Sequence, residues 1–155
     1  MEHDKKVQEI CELALKILKK PNLQFRPMRR TASINTTRSF VIGRTNLKTG
    51  LITIDTRTPR KREEKKISSI LSVLCHEVAH HQKMPFRQRH KGKWIIRQHY
   101  PEFYQQVTKN IEYLKKDSII GQYFDTKKPP KKKGDCAVKK RPKTSLLSLI
   151  LANFS

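Results

Sequence analysis

Three residues could do chemistry that the rest of the chain must position: His76, Glu77 and His80. They lie in the stretch Ser72-Val73-Leu74-Cys75-His76-Glu77-Val78-Ala79-His80-His81. Residues four apart stack on one face of an α-helix, so the two imidazoles can share one metal ion. This H-E-x-x-H spacing is suited to Zn²⁺, with Glu77 one residue round the helix and able to reach a water beside the metal. Zinc lowers the pKa of such a water towards neutrality. Glu77 would take its proton, a peptide carbonyl would be attacked, and Glu77 would return the proton to the leaving amine. A donor for the developing oxyanion is also needed; Tyr100, His81 and His99 are the candidates.

Catalytic zinc usually takes three protein ligands and keeps one position open. Downstream candidates are His81, His90, His99, Glu102 and Glu112. His81 follows His80 directly and points round the helix, which suits a supporting role. The segment Met84-Pro85-Phe86-Arg87-Gln88-Arg89 reads as a loop that returns His90 to the metal, so His90 is the expected third ligand. His99 is the alternative, at the end of a stretch, Lys91 to His99, that reads as a helix.

The elements around the motif follow from hydrophobic periodicity. Val7, Ile10, Cys11, Ala14, Ile17 and Leu18 give an amphipathic helix closed by Pro21. From Asn22 to Thr56 the period shortens. Leu23–Arg26, Thr31–Ile34, Ser39–Ile42 and Leu51–Thr56 read as short strands, with Asn46-Leu47-Lys48-Thr49-Gly50 as a turn before the last. Thr58-Pro59 reads as the start of the metal helix. Within it Ile67, Ile70, Leu71, Leu74 and Val78 form a core stripe separate from the histidine face, and Cys75 is a packing residue. Phe103, Val107, Ile111 and Leu114 mark a further helix from Pro101, Ile119, Ile120, Tyr123 and Phe124 a last packed turn or a docking segment, and Trp94 a core residue. The expected fold is α+β: an N-terminal helix, a small antiparallel sheet of three or four strands, the H-E-x-x-H helix and following helices, over residues 1–125.

The motif His76-Glu77-Val78-Ala79-His80, followed by His90-Lys91-Gly92-Lys93-Trp94-Ile95-Ile96, resembles the SprT-like and YgjP-like zinc metallopeptidases. In those families a third histidine opens the next helix and an aromatic follows about four residues later, a place taken here by Trp94. The continuation Arg97-Gln98-His99-Tyr100-Pro101-Glu102-Phe103-Tyr104 and the strand Gly50–Ile54 are similar as well, so the resemblance covers about Leu23 to Leu114. No four-cysteine ribbon of the kind many SprT-like proteins carry is found. The resemblance implies a zincin-like fold, Zn²⁺ held by His76, His80 and His90, peptide hydrolysis through Glu77, and substrates that are proteins bound to DNA.

Charge points the same way. The 155 residues hold 35 Lys+Arg against 13 Asp+Glu, a formal net charge of +22, and attract polyanions: DNA first, RNA second. Lys83, Arg87, Arg89, Lys91, Lys93 and Arg97 place six cations and no acid beside the site. Residues 127–143 hold nine Lys/Arg, Lys131, Lys132 and Lys133 among them, against one Asp, so 126–155 reads as a disordered basic tail. It ends in an apolar segment, Ser145–Phe154, suited to a protein partner. The scattered Cys11, Cys75 and Cys136 argue against a disulfide framework. With no secretory h-region and no apolar run of about 20 residues, the expected location is cytoplasmic, or nuclear in a nucleated cell. The rival reading is a nucleic-acid-binding module whose zinc site is structural or degenerate.

Overall fold

The apolar repeat of the N-terminal segment becomes α1 (Glu2–Ile17), which buries Val7, Ile10, Cys11, Ala14 and Leu15. In this computed structural model the described residues are 2–28, 30, 32–34 and 40–124. Lys19, at φ 55°, reverses the chain two residues before Pro21 and leads into β1 (Gln24–Pro27). The basic tail with Lys131, Lys132 and Lys133, the C-terminal apolar segment, and parts of the expected strands at 31–34 and 39–42 lie outside the described residues.

The main sheet has the order β1-β3-β2, with β3 (Leu51–Ile54) at its centre and β2 (Gly43–Thr45) at one edge. β2 and β3 form an antiparallel hairpin around the expected turn, but its first strand is Gly43–Thr45 and not 39–42, and neither the described 32–34 nor 40–42 is strand; β1 runs parallel to β3, so the sheet is mixed. β1 and β2 therefore flank β3 on opposite sides. The hairpin turn rests on Asn46, whose Oδ1 accepts from the N–H groups of Lys48 and Thr49 at 3.0 and 3.2 Å. Gly50 closes it at φ 70°, where a Cβ would lie 2.9 Å from the Asn22 carbonyl oxygen.

The H-E-x-x-H helix, α2 (Ile67–Gln82), starts eight residues later than Thr58-Pro59 suggests. Thr58 caps a turn instead of a helix. Its Oγ1 accepts from the Glu63 N–H at 3.0 Å, and the Thr58 N–H donates to the Glu63 carbonyl at 2.7 Å. The Arg62 guanidinium locks this turn, donating to both Asp55 carboxylate oxygens at 2.8 and 2.9 Å and to the Arg30 carbonyl at 2.7 Å. Burial alone would raise the Asp55 pKa. The Arg62 and Arg57 hydrogen bonds, with the charges of Arg62 and Lys65, outweigh burial and hold it below the ordinary value.

Beyond α2 the structure corrects the helix expected at Lys91–His99. That segment is half of a β-ribbon, β4 (Phe86–His90) paired antiparallel with β5 (Lys93–Arg97). Its two-residue turn, Lys91-Gly92, has φ of 48° and 79°, the doubly positive pattern of a hairpin turn. Ile95 and Ile96 are β-branched and lose little in a strand. α3 (Pro101–Lys115) then begins with Pro101 in its first turn, and a 3-10 turn (Gly121–Tyr123) follows.

One core joins these parts. Ile70, Leu71, Leu74 and Val78 of α2 meet Ile52 and Ile54 of β3, Leu15 of α1, Leu114 of α3 and Ile120. Each fully buried aliphatic side chain contributes about 1.5–3 kcal/mol. Asn110 pins α3 to α2, donating to the Cys75 carbonyl at 3.3 Å and the Gln82 side chain at 2.8 Å. That register matters, because the next histidine to reach the His76–His80 face of α2 comes from the segment that α3 anchors.

Candidate metal centre

The core stripe of α2 turns His76 and His80 away from the sheet and towards the start of α3. There they meet His99, two residues before α3 begins. The ring centroids stand 5.1 Å (His76–His80), 5.0 Å (His76–His99) and 5.0 Å (His80–His99) apart. The Nε2 atoms of His76 and His99 are 3.1 Å apart. One nitrogen from each ring lies within 4.8 Å of the other two, so the three histidines could hold a metal ion. It is the one such group among the described residues. Phe103, fully buried, lies under all three rings at 4.9, 4.6 and 5.0 Å from His76, His80 and His99.

The third member is therefore His99, the alternative, and not His90. His90 closes β4, opposite Lys93 across the ribbon, and is exposed. The expectation failed because it read 83–89 as a returning loop and 91–99 as a helix. The chain instead runs out along β4 and back along β5, and that return delivers His99. The missed signal was in the sequence: the histidine–aromatic step of four residues at His90–Trp94 recurs at His99–Phe103, and only Phe103 lies on the apolar stripe of α3. Trp94, expected in the core, is 72% exposed.

Electrostatics suit a cation. Burial, and then His99, lowers the pKa of His76. Burial, with His76, His99 and His81, brings that of His80 down to about 4. Both rings are thus neutral at pH 7 with lone pairs to donate. Glu77 is 6% exposed, and burial pushes its carboxyl up to about 7. Cys75 is fully buried with its thiol pushed up to about 12, which fits the packing role expected of it.

The strand β2 crosses α2 beside Glu77. Gly43 permits the approach: a Cβ there would lie 2.7 Å from Val73 Cγ1 and 3.0 Å from Glu77 Oε1. Thr45 Oγ1 lies 2.6 Å from His81 Nε2, which ties the strand to the end of α2. Burial and the nearby Lys20 lower the His81 pKa. Among the oxyanion candidates, His81 is thus engaged by the sheet, His99 belongs to the histidine cluster, and Tyr100 donates to the Met84 carbonyl at 3.2 Å. β2, the two helical histidines, Glu77, Leu47, Pro85, Gln98 and His99 line a cleft of about 330 Å³. A larger cleft of about 980 Å³ lies between α1 and β1 and contains none of these groups.

Of the expected basic residues, Lys83 follows α2 directly and is half-buried. Arg87 and Arg89 stand on β4, Lys91 at its turn, and Lys93 and Arg97 on β5. Among the described residues no helix is long and apolar enough to cross a membrane.

Fold and site together define an α+β domain in which a H-E-x-x-H helix, an edge strand and a third histidine surround one cleft. No protein-family model, curated protein or solved structure matches the chain.

Proposed function

We propose that this protein is a zinc-dependent metallopeptidase of the SprT-like or YgjP-like kind. The observation that carries the reading is Glu77, buried between His76 and His80 on the helix and facing the cleft that His99 closes. The donor set fits zinc. Three imidazoles make a common set of catalytic zinc ligands, and tetrahedral bonds of about 2.05 Å place donors about 3.3 Å apart, close to the 3.1 Å between His76 and His99. Bound there, zinc would supply a Lewis acid that makes a water acidic and polarises a carbonyl.

The protein's own groups do the rest. Glu77 lies beside both helical histidines, placed to take a proton from the water and pass it to the leaving amine. Phe103 and the Asn110 contacts hold the histidines in register. β2, an edge strand, offers an extended peptide a place to add alongside the sheet, with the scissile bond carried over Glu77. The formal charge of +22 favours substrates that are proteins bound to nucleic acid.

Zinc-loaded protein should cleave a denatured or DNA-bound protein, and Glu77→Gln should retain zinc while losing at least about a hundredfold in rate. If both bind zinc and neither cleaves anything, with or without DNA, the chain is a binding module and the peptidase reading fails.

A further inference from the structure

The ribbon β4–β5 stands out from the body with one face unlike the other. Side chains paired across an antiparallel ladder share a face. Phe86, Gln88, Ile95 and Arg97 belong to one face: Phe86 meets the Tyr100 ring at 5.1 Å, and Arg97 donates to Gln88 at 3.0 Å. The pairs Arg87↔Ile96 and Arg89↔Trp94 make the other. There Trp94 and Ile96 are 72% and 63% exposed, both arginines are exposed, and no ion pair among the described residues engages either one.

We propose that this outer face binds single-stranded nucleic acid, with bases stacked on Trp94 and phosphates held by Arg87 and Arg89. The two columns run side by side, one cationic along β4 and one apolar along β5, and residues two apart on a strand repeat about every 6.6 Å. An unpaired strand has the same division, a charged edge and a stacking edge. A duplex hides its base faces and gives an exposed indole nothing to stack on. Membrane insertion fits less well, because the ribbon's tip is Lys91-Gly92-Lys93 and its apolar side chains lie on the flank. The ribbon ends two residues before His99, so a strand held here would bring proteins attached to it to the cleft. The proposal deepens the nucleic-acid part of the proposed function and does not depend on peptide cleavage.

Trp94 is the only tryptophan in the chain, so its fluorescence reports the contact directly. Full-length Glu77→Gln protein, which binds without turnover, should be titrated with an oligothymidylate of about 12 nucleotides, the matching duplex, and vesicles rich in anionic lipid. The single strand should quench Trp94 and bind more tightly than the duplex. Trp94→Ala should weaken single-strand binding, read by anisotropy, about tenfold, with Trp94→Phe recovering much of it. Arg87→Ala with Arg89→Ala should flatten the salt dependence. Unchanged affinity in Trp94→Ala overturns the proposal, as does equal or tighter duplex binding. A blue shift with vesicles but no response to the oligonucleotide assigns the face to a membrane instead. None of these readouts requires cleavage, so the proposal can fail while the peptidase reading stands, and the reverse.

Discussion

Replacing Glu77 with Gln in metal-free protein should stabilise the fold, by an amount that depends on pH. Burial raises the Glu77 carboxyl from 4.5 to about 7. Below pH 4.5 the folded and unfolded chains both hold the proton and the residue contributes nothing to the balance. Between 4.5 and 7 the folded state holds a proton that the unfolded state has released, so stability falls as pH rises. Above 7 the full cost of a buried carboxylate is present. A tenfold change in proton affinity is worth about 1.4 kcal/mol, which bounds the cost at about 3 kcal/mol, and water in the cleft screens it to about 2 kcal/mol. Gln keeps the shape and removes the charge. Urea titrations of the two proteins in chelator should give equal stability near pH 4 and a variant about 2 kcal/mol more stable at pH 8. A variant that is less stable at pH 8, or a difference that ignores pH, would refute the burial argument for Glu77.

Two further outcomes follow from neighbouring contacts. Gly43→Ala should force β2 away from α2, because the new Cβ meets Val73, a β-branched side chain with little freedom on a helix. The expected cost is about 1–3 kcal/mol by urea titration, with a larger loss in peptide cleavage than in zinc affinity. Asp55, held below the ordinary carboxylate value, contributes stability that is present above about pH 4 and lost as pH falls through its lowered pKa. Asp55→Asn should destabilise by about 3–5 kcal/mol near neutrality, since it leaves Arg62 buried without its partner, and acid unfolding should shift accordingly.

What was legible in the sequence was local. The helix bearing His76, Glu77 and His80 could be read because the ligand spacing and the core stripe from Ile70 to Val78 both belong to one helical period. The turn at Asn46–Gly50 and the proline start of α3 carry their own chemistry in a few residues. The parallel pairing of β1 with β3 was not legible, since it joins residues more than 20 apart and no local pattern in either strand chooses its partner or direction. The ribbon was misread because Trp94, Ile95 and Ile96 satisfy a helix or a strand over so short a run, and Gly92 with Lys91 decides it only through positive φ. That one error put His90, and not His99, beside His76 and His80. Thr58 misled in a similar way: its hydroxyl caps a turn as readily as a helix.

The metal content of two single variants tests the centre most directly. Purified wild-type protein, His90→Ala and His99→Ala should be loaded with zinc, dialysed against a weak chelator, and measured by mass spectrometry of the metal, with circular dichroism confirming the fold. About one zinc per chain is expected in wild type and His90→Ala, and none in His99→Ala. Zinc retained by His99→Ala and lost from His90→Ala would contradict the three-histidine site built from His76, His80 and His99.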